Sequence, residues 1–228
     1  MAETKPRRKH SGEELITRAY TTVFRASDKP EERGVIEGTP IVFDQATKIS
    51  DWCGDFTEII DRNALKNADL NDVRLFVNHD INKITLARSK KGNDKSTMTF
   101  TIDDVGLHMR AVLDVDNNAE ARALYSAVQR GDMDGMSFMF RIKTQEWKDI
   151  DTDSPTRIIR EISIVHEVSV VNFPAYPQTS VNARSSEEAE YSPLAEARKA
   201  AAEETARREN ERLEIEKAKI ENLFKIIL

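Results

Sequence analysis

Cysteine is almost missing from this chain of 228 residues, since Cys53 is the only one. An internal disulfide needs two cysteines, so the disulfide frameworks of small secreted domains are excluded and a reducing compartment fits the sequence. Long apolar runs are missing too, and no window approaches the ~18 apolar residues that a membrane-spanning helix requires. The basic first residues, MAETKPRRKH, lack the apolar core of a signal peptide. We therefore expect a soluble protein that is neither exported nor bound to a membrane.

Strong charge of one sign and metal-binding spacings are also lacking. The formal net charge is only -6, so bulk electrostatics give no reason to expect a nucleic-acid partner. Asp80 and three histidines, His79, His108 and His166, do not show the i, i+4 or CxxC spacing that makes a metal site persuasive. The sequence has neither a G-x-S-x-G elbow nor a glycine-rich phosphate loop. We expect no metal and no cofactor.

Composition divides the chain into three regions. Residues 1–16 are polar without hydrophobic periodicity, which predicts a disordered arm. Residues 17–182 contain short alternating segments, such as VRLFVN and GLHMRAVLD, separated by turn signals such as KGND and DVDNN. This pattern predicts a mainly β domain of the α+β class, with antiparallel strands in a barrel-like arrangement and peripheral helices. Residues 183–228 form a tail of different character.

Two helices are predicted inside the β domain. The stretch DRNALKNADL can form a short helix capped by Asp61. The stretch NNAEARALYSAVQRGDM predicts a longer helix that is capped by Asn117 or Asn118 and ends at Gly131.

The tail predicts one long helix. It is rich in Ala, Glu, Lys and Arg, has no glycine from residue 185 onward, and places Glu203 and Glu204 four residues before Arg207 and Arg208. Its apolar residues can share one helix face; they are Leu213, Ile220, Phe224 and Ile227. Two interpretations stay open: a helix that pairs with a partner helix or a second copy, and a single solvated helix.

A possible nucleophile lies in the stretch GDMDGMSFMF, where Ser137 follows a turn and precedes large apolar residues. A possible base is His79, at the polar end of VRLFVNHD, because a neutral imidazole can take a proton from a serine hydroxyl within about 3 Å. A histidine at a strand end is more often a surface or core residue. His108 lies mid-strand and is interpreted as structural, and Cys53 has no base near it in sequence.

Glu161 and Glu167 are the candidates for an acid beside the histidine. They lie six residues apart in a long apolar strand, which predicts that both lie on the same face of that strand. A carboxylate in such a strand is costly to bury without a partner. The partner could equally be an arginine in a structural salt bridge, such as Arg110 or Arg141.

Four segments in order resemble the prohead (capsid maturation) serine proteases of tailed bacteriophages, whose fold is similar to that of the herpesvirus assemblin proteases. They are DWCGDFTEIIDRNAL, VRLFVNHD, GDMDGMSFMF and EVSVVNFPAYP. The first departs from the family pattern at Asn63, where the family has glycine. The resemblance covers residues 17–182, and the ordered combination is more specific than any single segment.

The resemblance implies a herpesvirus-protease type of antiparallel β-barrel with a triad of Ser137 as nucleophile, His79 as general base and Glu167 as acid. Glu161 remains the alternative acid. Backbone N–H groups near Ser137 or Arg141 are candidates for the oxyanion hole. The implied substrates are segments of the major capsid protein and the scaffold, and also the chain itself. The implied location is the assembling procapsid in the host cytoplasm, where the helical tail could join scaffold helices.

Two other functions compete with this interpretation. One is a non-enzymatic capsid assembly module on the same barrel, with the three polar residues as structural remnants. The other is a hydrolase of small esters. Geometry discriminates between enzyme and assembly module, because only an enzyme needs the serine oxygen, a histidine nitrogen and an acid within hydrogen-bond reach.

Overall fold

The computed structural model describes residues 13–21, 24–27, 29–90, 92, 94–172 and 192–227. These residues form eleven strands and two α-helices. The strands are β1 (Glu14–Thr21), β2 (Phe24–Ala26), β3 (Val35–Val42), β4 (Thr47–Asp51), β5 (Gly54–Ile60), β6 (Arg74–Val77), β7 (Ala87–Arg88), β8 (Met98–Ile102), β9 (Gly106–Val112), β10 (Gly135–Lys148) and β11 (Thr156–Val171). The helices are α1 (Ala119–Arg130) and α2 (Pro193–Ile227), and a 3-10 turn covers Pro30–Glu32.

The larger sheet has seven strands and is organised around β11. Its main path is β1-β10-β11-β5-β4; β6 also pairs with β11, and β7 pairs with β6. One edge of β11 pairs antiparallel with β10. The other edge is shared, because the first part of β11 pairs in parallel with β5 and the last part with β6. Consequently β6 and β10 flank the same end of β11.

The smaller sheet is antiparallel in the order β2-β3-β9-β8 and packs against the larger one. Its buried side chains, among them Ile36 and Met109, belong to the same core as Met136 and Phe138 of β10. The two sheets pack tightly at Gly38, where an added Cβ would lie only 2.4 Å from the Met136 sulfur. Glycine at this position therefore permits the contact between β3 and β10.

Helix α1 begins and ends as the sequence predicts. The Asn118 side chain accepts hydrogen bonds from the backbone N–H groups of Glu120 and Ala121, so Asn118 and not Asn117 is the N-cap. Gly131 ends the helix in the left-handed conformation, with φ of 75°. Leu124 and Val128 are among the residues of its buried face, which packs into the common core.

The predicted antiparallel barrel needs correction. The described strands form two sheets and no closed barrel, and the larger sheet is mixed. The reason is the route of the chain between β5 and β6: residues 61–73 run alongside β11 and make a parallel bridge from Asp69 to Ile164. Strands β5 and β6 therefore both run in the same direction as β11.

The short helix predicted after Asp61 is also wrong, because residues 62–67 form turns. The Asp61 carboxylate does accept the N–H of Asn63, at 2.8 Å, but the backbone bonds that follow span three residues. The carbonyl of Ala64 bonds to the N–H of Ile162 in β11, at 2.8 Å, and the N–H of Asp69 to the carbonyl of Ser163. Backbone groups that an α-helix would use internally thus attach this segment to the sheet.

The long C-terminal helix is present as α2, and its first turns contact the body. Leu194 is fully buried, the Ser192 hydroxyl donates to Asp51 at 2.7 Å, and Arg198 donates to the carbonyls of Ile150 and Thr152. Residues 205–220 are exposed. In the described part of the chain, neither helix has the length and apolar character to span a bilayer.

Two predicted boundaries fall partly outside the described residues. Strand β1 begins at Glu14, inside the segment assigned to the arm, while residues 1–12 are not described. The predicted start of the tail at residue 183 also lies outside the described residues, as do the side chains of Phe224 and Ile227.

Candidate active site

Ser137 lies in β10, between β1 and β11, and its side chain is completely buried. Its Cα is paired with Ser169 of β11. Because directly opposed residues of an antiparallel pair project to the same face, the two serine side chains share one side of the sheet. Met139, two residues further along β10, is paired in the same way with Glu167.

His79 lies two residues after Val77, the last residue of β6, in a turn. Its Nε2 atom lies 2.6 Å from the Ser137 Oγ and its Nδ1 atom 2.5 Å from Oε1 of Glu167. The imidazole is mostly covered, with 17% of its side chain exposed, and only 4% of the Glu167 side chain is exposed. The structure thus brings the three residues singled out in the sequence into one continuous chain of hydrogen bonds.

One proton arrangement fits both hydrogen bonds of His79. A neutral imidazole that carries its proton on Nδ1 donates to the Glu167 carboxylate and leaves Nε2 free to accept the Ser137 hydroxyl proton. A buried carboxylate with this donor satisfies the requirement that a charge in the protein interior be hydrogen-bonded. Chemically, the arrangement can transfer a proton from Ser137 to His79 while Glu167 stabilises the resulting imidazolium.

A second acceptor for the Ser137 hydroxyl comes from β1. The Arg18 carbonyl oxygen lies 2.9 Å from the Ser137 Oγ. The hydroxyl has a single proton, so a bond to Arg18 competes with the bond to His79. Together with the complete burial of Ser137, this contact means that β1 covers Ser137 from the outer edge of the sheet.

Glu161 lies apart from this chain of bonds. Its carboxylate accepts a hydrogen bond from Lys143 at 2.8 Å, and this bond and the weaker one from Asn67 hold its pKa below the ordinary value. The β10–β11 register shifts at several points between Glu161 and Glu167, so their spacing in the sequence does not decide which of them reaches His79. Each β-bulge inserts an extra residue and interrupts the alternation of side chains.

The other sequence candidates lie elsewhere. His108 in β9 is 2.9 Å from the Thr39 hydroxyl, and His166 is partly buried beside Arg141. Burial, reinforced by the Arg141 charge, lowers the pKa of His166. Cys53 is half-buried in the turn between β4 and β5. Within the described ranges, no group of three or more His, Cys, Asp or Glu side chains could hold a metal ion.

The two arginines considered as partners for the acid bond to other groups. Arg110 pairs with Glu32 and Glu37, and Arg141 donates to the backbone carbonyl of Glu13. Glu167 instead bonds to His79 and to the Ser169 hydroxyl.

A buried ion-pair cluster joins β1 to the body of the sheet. Glu58 of β5 accepts from Arg18 and from Arg157 of β11, and Arg157 also bonds to Glu14 and Gln145. Burial disfavours the charged form of Glu58, but the charges and hydrogen bonds of Arg18 and Arg157 outweigh it and hold its pKa below the usual value. The cluster therefore fixes strand β1, in which the Arg18 carbonyl contacts the Ser137 hydroxyl.

One residue of the site was missed in the sequence. The Ser169 hydroxyl donates to Oε2 of Glu167 at 2.7 Å and accepts the backbone N–H of His79 at 3.1 Å. A signal for it exists, because residues two apart in a strand share a face and Ser169 lies two residues after Glu167.

Comparison with known proteins adds a family to this geometry. The family model described as caudovirus prohead serine protease matches residues 17–192. The chain belongs to this family. The prohead protease of Enterobacteria phage HK97 is 30% identical over 158 residues, which is 68% of this chain and 62% of that relative. The aligned region therefore spans less than two thirds of the relative's length. No solved structure matches the chain.

Proposed function

We propose that the chain is a serine endopeptidase that cuts protein segments during the maturation of a phage procapsid, with Ser137, His79 and Glu167 in the roles of nucleophile, general base and acid. The observation that carries the proposal is the hydrogen-bonded chain from the Ser137 Oγ through both nitrogens of His79 to Glu167. A capsid assembly module would need no such chain, so the geometry favours an enzyme. Membership in the prohead serine protease family supports the same conclusion.

In the first half of the reaction, the Ser137 Oγ attacks the carbonyl carbon of the scissile peptide bond as its proton moves to Nε2 of His79. The imidazolium formed keeps its Nδ1–H bond to the Glu167 carboxylate, 2.5 Å away, which stabilises the charge. When the tetrahedral intermediate collapses, the C–N bond breaks and Nε2 returns the proton to the leaving amine. Ser137 then carries the acyl group as an ester.

In the second half, water replaces the amine. Nε2 of His79 takes a proton from the water as its oxygen attacks the ester carbonyl, and it returns that proton to the Ser137 Oγ when the C–O bond breaks. The products are a peptide with a new carboxyl terminus and the free enzyme. Each half uses the same histidine nitrogen, so the orientation of one ring decides both steps.

Substrate access requires a movement near β1. Ser137 is fully buried and the Arg18 carbonyl occupies a position 2.9 Å from its Oγ. A scissile carbonyl needs to approach within about 3–3.5 Å of the nucleophile. Displacement of β1, the edge strand of the larger sheet, would expose Ser137 and leave β10 with a free edge. An extended substrate can add to such an edge by backbone hydrogen bonds.

The exposed part of α2 is our candidate for partner binding. Leu213, Ile215 and Ile220 are each about half exposed, at 48%, 56% and 52%. Exposed leucine and isoleucine on a long charged helix suit pairing with another helix, from the scaffold or from a second copy of the chain. Such pairing would concentrate the protease beside capsid and scaffold segments inside the procapsid, in the host cytoplasm.

The deciding experiment is co-expression of the chain with its capsid protein, as wild type and as Ser137→Ala, followed by intact mass spectrometry of every product. We expect the wild type to shorten the capsid protein, and itself as well, and the variant to leave both whole. Ser89→Ala is the matched control, because Ser89 is also a buried serine but donates to the backbone carbonyl of Leu70. Equal cleavage by wild type and Ser137→Ala would overturn the proposal.

A further inference from the structure

We infer that Ser169 is a positioning residue that holds the base and the acid of the site together, an inference that rests on the proposed function. Its single hydroxyl bonds to both partners: it donates to the Glu167 carboxylate and accepts from the backbone of His79. It does not touch the Ser137 hydroxyl in the network described above and takes no proton in the reaction. Its role is therefore exerted through His79 and Glu167.

Burial makes both of these bonds important. Ser169 is fully buried and Glu167 is 3% exposed, so water has little access to the groups that they bond. The two carboxylate oxygens of Glu167 have different partners, with Oε1 bonded to His79 and Oε2 to Ser169. Loss of the Ser169 hydroxyl would remove the donor to a buried charged oxygen, which is more costly than the loss of an ordinary neutral hydrogen bond.

The backbone around His79 gives the second reason. Asn78 and His79 both have left-handed conformations, with φ of 51° and 59°, which residues other than glycine rarely adopt. Two such residues in succession persist only when surrounding contacts hold them. The holding contacts come from the end of β11: the N–H of Asn78 donates to the Val170 carbonyl, the N–H of Asn172 to the Asn78 side chain, and the N–H of His79 to Ser169.

These contacts define what Ser169 would do for the reaction. The same atom sets the position of the His79 backbone and the rotation of the carboxylate that orients the His79 ring. Without the Ser169 hydroxyl, a substrate can still bind, but the Nε2 atom of His79 is less often aligned with the Ser137 Oγ. We therefore expect Ser169→Ala to lower kcat about 10-fold to 100-fold, the range for loss of a charge-assisted hydrogen bond, with KM nearly unchanged.

Four proteins test the inference: wild type, Ser169→Ala, Ser169→Thr and the control Ser89→Ala. Threonine keeps the hydroxyl and suits a strand, so Ser169→Thr should recover most of the activity lost in Ser169→Ala, while Ser89→Ala should remain at the wild-type rate. The first readout is the rate at which a fluorophosphonate labels Ser137. The second is the downfield proton resonance of His79 Nδ1–H, assigned by its absence from His79→Gln, which lacks the imidazole.

The two readouts separate the inference from the proposed function. Slow labelling together with a shifted or broadened resonance in Ser169→Ala, and recovery of both in Ser169→Thr, is the expected result. Wild-type labelling and an unchanged resonance in Ser169→Ala would overturn the positioning role and leave the protease proposal intact. No labelling of the wild type, with a resonance that still depends on Ser169, would overturn the protease proposal alone. If Ser169→Ala does not fold, Ser169→Cys replaces it, because a thiol fills the space but is a weak donor.

Discussion

The two glutamates of β11 permit a sharp test of the proposed acid. Glu167→Gln and Glu161→Gln make the same chemical change six positions apart in one strand. Glu167 contacts His79 Nδ1 at 2.5 Å, whereas Glu161 contacts Lys143 at 2.8 Å. We expect the first variant to lose nearly all activity and the second to keep it.

The magnitude follows from what glutamine can do beside the imidazole. If its carbonyl oxygen faces Nδ1, the histidine keeps the useful tautomer but the imidazolium loses its charged partner, which corresponds to about 10-fold to 100-fold. If its amide nitrogen faces Nδ1, the proton is forced onto Nε2, which then has no lone pair for the Ser137 proton, and the loss approaches about 10,000-fold. We therefore expect Glu167→Gln to decrease kcat by a factor between these two limits.

The assay is kcat and KM for a cleaved peptide from the capsid protein, measured for both variants alongside circular dichroism and thermal unfolding. The Glu161 variant should stay within about twofold of the wild type, because surface ion pairs contribute little. The proposed role of Glu167 is refuted if Glu167→Gln folds normally and keeps more than about one third of the wild-type kcat. Equal losses in the two variants would refute it as well.

Three further predictions concern the framework of the site. Arg157→Met should lower the free energy of unfolding by about 3–5 kcal/mol, since it leaves Glu58 buried with one cation fewer. Denaturant titrations measure this loss, and a loss below about 1 kcal/mol would contradict the importance of the cluster. Because the folded pKa of Glu58 lies below its ordinary value of 4.5, the stabilisation is complete above that value and is lost as pH falls through the lowered pKa. The slope of stability against pH in acid should therefore be smaller in Glu58→Gln than in the wild type. A chain ending at residue 204 keeps the contacts of Leu194 and Arg198 with the body. We expect it to keep peptidase activity but not to enter procapsids. If procapsids contain it at the normal copy number, a targeting role for the tail is excluded.

Much of the β domain could be predicted from alternation and turn signals, but β5 could not. In the segment GDFTEII the inward positions are Phe56, Glu58 and Ile60, all of them buried. A charged residue at the central inward position hides the alternation of apolar and polar residues that marks a half-buried strand. Glu58 is tolerated there only because Arg18 and Arg157 approach it from distant parts of the chain, and no local pattern shows such contacts.

The candidate site shows the same division between local and distant information. Ser137 and His79 could be singled out because each lies at a polar position beside an apolar strand. The choice between Glu161 and Glu167 depended on strand register, and the register shifts of β10 and β11 are set by pairing across the sheet. The partners of Ser169 were hidden for a similar reason, since its bond to the His79 backbone exists only because β6 pairs in parallel with the end of β11.

Strand β11 connects the stability of the domain to its chemistry. Its first part pairs with β5 and carries Arg157 into the ion-pair cluster, and its last part pairs with β6 and carries Glu167 and Ser169 into the candidate site. The cluster also binds Arg18 of β1, whose carbonyl contacts the Ser137 hydroxyl. Weakening the cluster should therefore have two effects: a lower stability of the fold, and an easier displacement of β1, the strand that covers Ser137. Arg157→Met should accordingly unfold more readily than the wild type. Below its unfolding temperature, however, a fluorophosphonate should label its Ser137 faster. Simple destabilisation of the active site would not produce this combination, because it would slow the labelling.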